Sequence, residues 1–156
     1  MIFREIVFDS DEYARECALR DEVLRVPLGM ALEREDLETE KAELHFGLFR
    51  HDGVLLACAV ASPTSPGVAR IRQVAVSPHH QNLGLGRKLM HGLENDLHAR
   101  GFHQLTLHAR TTVAGFYEKL GYVRIGGEFI EISIPHVEME KRIVRPSANP
   151  LRATAG

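Results

Sequence analysis

Gln81-Asn82-Leu83-Gly84-Leu85-Gly86, followed by Arg87-Lys88, is the stretch whose residue types and spacing point most directly to chemistry. Two glycines one residue apart let the backbone approach an anion closely, because no Cβ stands in the way. Behind them Leu89, Met90, Leu93 and Leu97 recur at helical spacing. The loop's N–H groups and the positive end of a helix dipole then converge on one point, which suits a phosphate or pyrophosphate. Two other phosphate loops are spelled differently. A Walker loop ends Gly-Lys-Ser/Thr after four spacers, and the dinucleotide fingerprint needs a third glycine where Leu89 stands. Arg87 and Lys88 either add positive charge beside the phosphates or form a solvated helix face.

The elements that must position this loop can be read along the chain. Residues 2–8 form a strand with Ile2, Ile6 and Phe8 on one side. Asp9 or Ser10 caps a helix running to about Val26, with Asp11 and Glu12 in its first turn, and Pro27-Leu28-Gly29 ends it. Residues 33–43 are strongly polar, a short helix too charged to be core. Strands over 44–50 and 54–61 flank the turn signal His51-Asp52-Gly53, residues 62–67 form a loop, and 68–76 is the next strand. The helix over about 85–100 closes at Gly101. The strand 104–109 carries Leu105 and Leu107 on one face, Thr106 and His108 on the other. A short helix with Val113, Phe116 and Leu120 stops at Gly121, and strand segments follow at 122–125 and about 134–143. From Arg145 on there is no apolar period, so one domain spans 1–144 and a loosely ordered tail spans 145–156. This order predicts an α/β layering, a mixed sheet between helices.

The length of 156 residues suits one domain with its own core. A net charge of -2 argues against a nucleic-acid binder that works by bulk electrostatics. The histidines are scattered, and none forms a zinc-type spacing with cysteine, so no metal is expected. Cys17 and Cys58 both fall at small, buried apolar positions, which suggests no disulfide framework. No stretch is apolar and long enough to span a membrane, and the start is not a signal peptide; the expected location is cytoplasmic.

A second motif lies further along: Phe116-Tyr117, then Gly121-Tyr122, at the end of a strand and short helix. Together with the Gln/Arg-x-x-Gly-x-Gly/Ala loop it resembles the GNAT superfamily of acyl-CoA-dependent N-acetyltransferases. The resemblance covers residues 1–143. Residues 128–139 are further similar to the Gly-Ile-Pro-His-hydrophobic-x-Met ending of ElaA-like members. Ser133 replaces the glycine there, and Arg110 stands where a glutamine is common after the fifth strand.

The resemblance implies a splayed mixed sheet flanked by helices on both faces. It also implies acetyl-CoA as acyl donor and an amine, on a small molecule or a protein, as acceptor. The loop from Gln81 to Arg87 would hold the phosphates. Val74, Ala75 and Val76 would offer a strand edge to the pantetheine arm and an N–H to the thioester oxygen, with Phe116 and His108 lining the groove. Tyr117 is the natural acid: a phenol stays protonated at neutral pH and can donate to the departing thiolate. Its hydroxyl favours an enzyme over the alternative, a non-catalytic acyl-CoA sensor. Neither motif contains a cysteine, which points to direct transfer in a ternary complex rather than an acetyl-cysteine intermediate. Arg72, Glu128 and His136 are candidates for the acceptor pocket. Arg72 is expected to share a face with Val74 and Val76, and a buried arginine needs a carboxylate, either internal or on the acceptor. The base stays open among Glu128, Glu131, His136, His45, His79 and water, as does assembly into a homodimer.

Overall fold

The computed structural model describes residues 1–28, 37–80 and 82–144. Gln81, the first part of the polar 33–43 stretch and the tail from Arg145 lie outside the described residues. Seven strands, β1 (Ile2–Ile6), β2 (Leu44–Phe49), β3 (Leu55–Ser65), β4 (Val68–Val76), β5 (Gln104–Arg110), β6 (Val123–Glu131) and β7 (Ile134–Arg142), form one sheet in the order β1-β2-β3-β4-β5-β7-β6. All neighbours pair antiparallel except β4 and β5. Three α-helices, α1 (Asp11–Arg20), α2 (Leu85–Ala99) and α3 (Ala114–Lys119), complete the mixed α/β architecture. α1 continues into a π-helical turn, Asp21–Arg25.

The helices sit on both faces of the sheet. On one side Leu85, Leu89, Met90, Leu93 and Leu97 of α2 pack with Ala114 and Tyr117 against Ala69, Ile71, Leu105, Leu107, Val137 and Met139. Each fully buried leucine there contributes about 1.5–3 kcal/mol. On the other side Tyr13 and Leu19 of α1 pack with Ile6, Phe49, Leu55, Cys58 and Ala75. Ser10 caps α1, its hydroxyl accepting from the Tyr13 N–H at 3.1 Å.

Four expectations need correction. The strand expected over 122–125 runs on to Glu131 as β6. Residues 62–65 belong to β3 rather than a loop. Pairing with β2 stops at Ala61, so Pro63 lies on a stretch with a free flank, where its missing N–H costs no ladder bond. The 37–42 stretch is a 3-10 turn (Leu37–Ala42) that is not purely surface: Glu40 is 1% exposed. Arg72 does not share a face with Val74 and Val76. Arg72 pairs with Val60 and Ala75 with Cys58, three steps on β4 against two on β3, so β4 carries a bulge. Gln73, at φ +56°, is the inserted turn of the chain. Beyond it Val74 and Val76 face the α2 side and Ala75 the α1 side, whereas Arg72 faces the α1 side.

Candidate active site

β4 and β5 are parallel neighbours for four residue pairs only, Val68 with Gln104 through Ile71 with Leu107. Past that point β4 stays paired to β3 and β5 to β7, but no register joins them to each other. The sheet therefore splits, leaving Arg72 to Val76 on one lip and His108 to Arg110 on the other. Peptide groups on a lip without a ladder partner can receive an extended, amide-bearing ligand as an added strand. The Gln73 bulge disrupts regular pairing at the head of the β4 lip, and Arg25 donates to its side-chain oxygen at 2.9 Å.

The glycine loop stands at the end of the β4 lip. Asn82 (φ +65°) and Gly84 (φ +70°) take left-handed conformations, and Gly84 is the N-cap of α2 with no side-chain cap. A Cβ built on Gly84 meets nothing within 4 Å, so the space over the uncapped helix start is open. Asn82, Leu83, Gly84 and Arg87 are exposed, and Leu85 is buried as the anchor of the first turn. Gly86 matters for a different reason. A Cβ there would lie 3.1 Å from the Phe116 ring and 3.8 Å from Val76 Cγ2, so β4, α2 and α3 meet at this glycine.

Tyr117 packs edge-on against Phe116 and Tyr122, with ring centroids 5.0 and 5.7 Å apart. Burial pushes its phenol up to about 12. Among the described residues its hydroxyl has no hydrogen-bond partner, unlike Tyr122, whose hydroxyl donates to Glu94 at 2.8 Å. Tyr117 thus keeps a protonated, uncommitted donor.

The opposite side of the split is polar. His108 reaches Arg70 and Glu131 through Nδ1, at 2.8 and 3.0 Å, and stands edge-on to Phe129. His136 faces away from Val137 and Met139; its Nδ1 donates to the Ile134 carbonyl at 2.7 Å and its ring stacks on Phe129. Arg72 holds Glu43 at 2.9 Å and lies 3.7 Å from Glu40, so its carboxylates are internal. Beside this pair a cavity of about 370 Å³ is lined by Thr39, Ala42, Glu43, Ser62, Pro63 and Arg72. Glu128 is not brought into this group: it is exposed where β6 loses register with β7. A larger open depression of about 460 Å³, between α1 and the β2–β3 turn, contains none of the candidate residues.

Sequence reasoning missed a buried charge network under α1. Arg20 donates to Glu16 at 2.8 Å and to both oxygens of Glu40 at 2.9 and 2.7 Å, and the Tyr13 hydroxyl donates to Glu40 at 2.7 Å. Both ring nitrogens of His45 face oxygens, the Glu16 carboxylate and the Glu40 carbonyl, so both carry protons. Burial opposes that cation, but the hydrogen bond and charge of Glu16 outweigh it and raise His45 above its usual value. Burial likewise opposes ionised Glu40, yet Arg20 and Tyr13 pull it down to about 2. Glu16, Glu40 and His45 cluster as metal ligands would, within 4.8 Å of one another. The Arg20 guanidinium and the two protons of His45 already neutralise those oxygens, so the group does not fit a cation. It leaves no nitrogen of His45 free for catalysis. The one sequence signal was the i, i+4 pair Glu16 and Arg20 on the apolar side of α1.

A family model described as "Acetyltransferase (GNAT) domain" matches residues 21–143. The protein YyaT of Bacillus subtilis (strain 168), described as uncharacterized, is 39% identical over 77 residues, 49% of this chain and 52% of that relative. The match thus spans about half the length of YyaT. Among solved structures, Escherichia coli ElaA superposes with a TM-score of 0.76 at 19% identity, covering 90% of this chain and 99% of ElaA. An aminoglycoside 6'-N-acetyltransferase complexed with coenzyme A superposes with a TM-score of 0.76, also at 19% identity, covering 94% and 99%. At such identities these two establish the fold alone. The split sheet, the glycine loop at its mouth and the family match over most of the chain lead to one assignment: the chain belongs to the GNAT acetyltransferase family.

Proposed function

We propose that the chain is an acetyl-CoA-dependent N-acetyltransferase that passes the acetyl group directly to a primary amine in a ternary complex. The observation that carries this reading is the unpaired β4–β5 split, with an uncapped helix start at its mouth and an uncommitted phenol, Tyr117, beside it. The site fits the donor: open space over Gly84 receives an anion, and the β4 lip receives an amide-bearing arm. That a structural neighbour is complexed with coenzyme A supports an acyl-CoA as the donor.

Each residue then has a task. The N–H groups at Gly84, Leu85 and Gly86 grip the pyrophosphate, assisted by Arg87. An N–H at Val74, Ala75 or Val76 polarises the thioester carbonyl as negative charge builds on its oxygen. Tyr117 donates its proton to the departing sulfur. The acceptor enters from the polar face, where Arg72 with Glu43, and His108 with Glu131 and His136, form the walls. Release of free thiol from acetyl-CoA, screened against a polyamine, an arylalkylamine, an aminoglycoside and a peptide N-terminus, tests the reading. Amine-dependent release is expected for at least one class. Tight acetyl-CoA binding with no turnover on any of them would favour the sensor, and no binding at all would sink both.

A further inference from the structure

The proton that an attacking amine must lose has no receiver in the reading above, and the polar face of the split offers one. His108 is the first β5 residue beyond Leu107, the last in register with β4, so it stands at the apex of the split. Its side chain lies on the face away from α2, opposite Tyr117. Two groups of opposite demand meet at its Nδ1, Arg70 Nη2 at 2.8 Å and Glu131 Oε1 at 3.0 Å. A guanidinium only donates and a carboxylate only accepts, so one ring nitrogen satisfies only one of them at a time. Among the described residues Nε2 has no hydrogen-bond partner, and Glu138 Oε2 stands 4.0 Å from it.

We propose that His108 is the proton acceptor of the transfer, poised by Glu131 and held idle by Arg70. This rests on the N-acetyltransferase reading. When Glu131 takes a proton-bearing Nδ1, the lone pair sits on Nε2 and faces the amine. When Arg70 donates to Nδ1, the proton moves to Nε2 and the ring is no base. Arg70 is free to leave: its side chain is 40% exposed, its nearest approach to Glu131 is 3.9 Å, and its buried Nε has no partner. An ammonium group arriving between Glu131 and Glu138 repels the guanidinium and supplies the charge it gave. The charged groups facing the ring are Arg70 from β4, Glu131 from β6, and Glu138 from β7; His136 of β7 reaches it through Glu131, at 3.6 Å. In the transfer a C–N bond forms and the C–S bond breaks. Of the two protons lost by the ammonium nitrogen, one passes to His108 Nε2 and then to solvent. The other replaces, through Tyr117, the proton given to the thiolate. His108 is thus a catalytic residue, and Glu131 and Arg70 are positioning residues.

Two measurements test this. Long-range ¹H–¹⁵N spectra of histidine-labelled protein report the tautomer directly: Arg70→Met should shift His108 to the Nδ1–H form, and Glu131→Gln to the Nε2–H form. With the amine that turns over fastest in the panel above, His108→Gln should lower kcat by about 10²- to 10⁴-fold. The acetyl-CoA Kd should stay within about twofold. Glu131→Gln should lower kcat with an unchanged KM for acetyl-CoA. A tautomer indifferent to both neighbours, or a His108→Gln variant with wild-type kcat, overturns the proposal. A wild-type chain that binds no acetyl-CoA overturns the parent reading and this one with it, whereas binding and turnover unaffected by His108→Gln overturn this one alone.

Discussion

Tyr117→Phe keeps the ring against Phe116 and Tyr122 and deletes only the hydroxyl. With any working amine, turnover is expected to fall by about 10²- to 10⁴-fold, toward the low end because a CoA thiolate departs readily. Acetyl-CoA affinity should stay nearly constant; a calorimetric titration beside the rate assay separates the two. Since burial holds the phenol near about 12, the wild-type rate should show no descending limb from this group through the ordinary assay range. Gly84 is tested differently. Its φ of +70° places any side chain in the left-handed region, so Gly84→Val is expected to cost about 1–2 kcal/mol of stability as well as CoA binding. Urea melts measure the first and calorimetry the second. A folded variant with unchanged CoA affinity would move the phosphates elsewhere.

Among the elements, the 37–42 turn depends on one side chain. Glu40 receives Tyr13 and both arms of Arg20, while its carbonyl receives His45. Glu40→Ala leaves Arg20 buried without that carboxylate, and is expected to destabilise the fold by about 3–5 kcal/mol in chemical denaturation. The pH dependence has two sides. Glu40 is depressed from 4.5 to about 2, so its contribution is complete above 4.5 and is lost as pH falls through about 2. His45 is raised above 6.5, so its contribution is complete below 6.5 and is lost as pH rises through the folded value. Melts across pH should therefore show the network at full strength between about 4.5 and 6.5, and His45→Gln should flatten the alkaline side. Beyond the i, i+4 spacing of Glu16 and Arg20 none of this was legible in the sequence, because which charges become buried depends on what α1 covers. By contrast the loop from Asn82 and helix α2 were legible, since glycine spacing and a leucine period are local signals. The β4 bulge was not: Arg72, Val74 and Val76 stand at a regular spacing of two that simple alternation puts on one face, and the inserted residue, Gln73, moves Arg72 to the other. The proline at 63 misled for a related reason, because proline forbids a paired strand only where both flanks are taken. At the β6–β7 turn Ile132 and Ser133 both adopt positive φ, 50° and 60°, which gives the physical basis for a glycine at the Ser133 position in similar chains.

For the molecule as a whole, a ligand that binds only the folded state stabilises it by mass action. Acetyl-CoA at one hundred times its Kd should add about 2.7 kcal/mol, and for a chain of this size raise Tm by about 5–10 °C. Differential scanning fluorimetry reads this, and Gly84→Val should abolish the shift. The split sheet has a mechanical side too. α2, which carries the proposed phosphate grip, packs chiefly on β1 to β4, and α3, with Tyr117, on β5. The two leaves are joined along the backbone by four rungs, Val68 to Ile71 against Gln104 to Leu107. The span between the proposed donor anchor and Tyr117 then depends on the hinge angle and on the ties from α2 across the split, where Glu94 takes the Tyr122 hydroxyl and Lys141, each at 2.8 Å. Substitutions at Ala69 or Leu105, which touch neither end of the donor, acquire leverage over acyl-chain length, because a small change at the hinge is magnified at the lips.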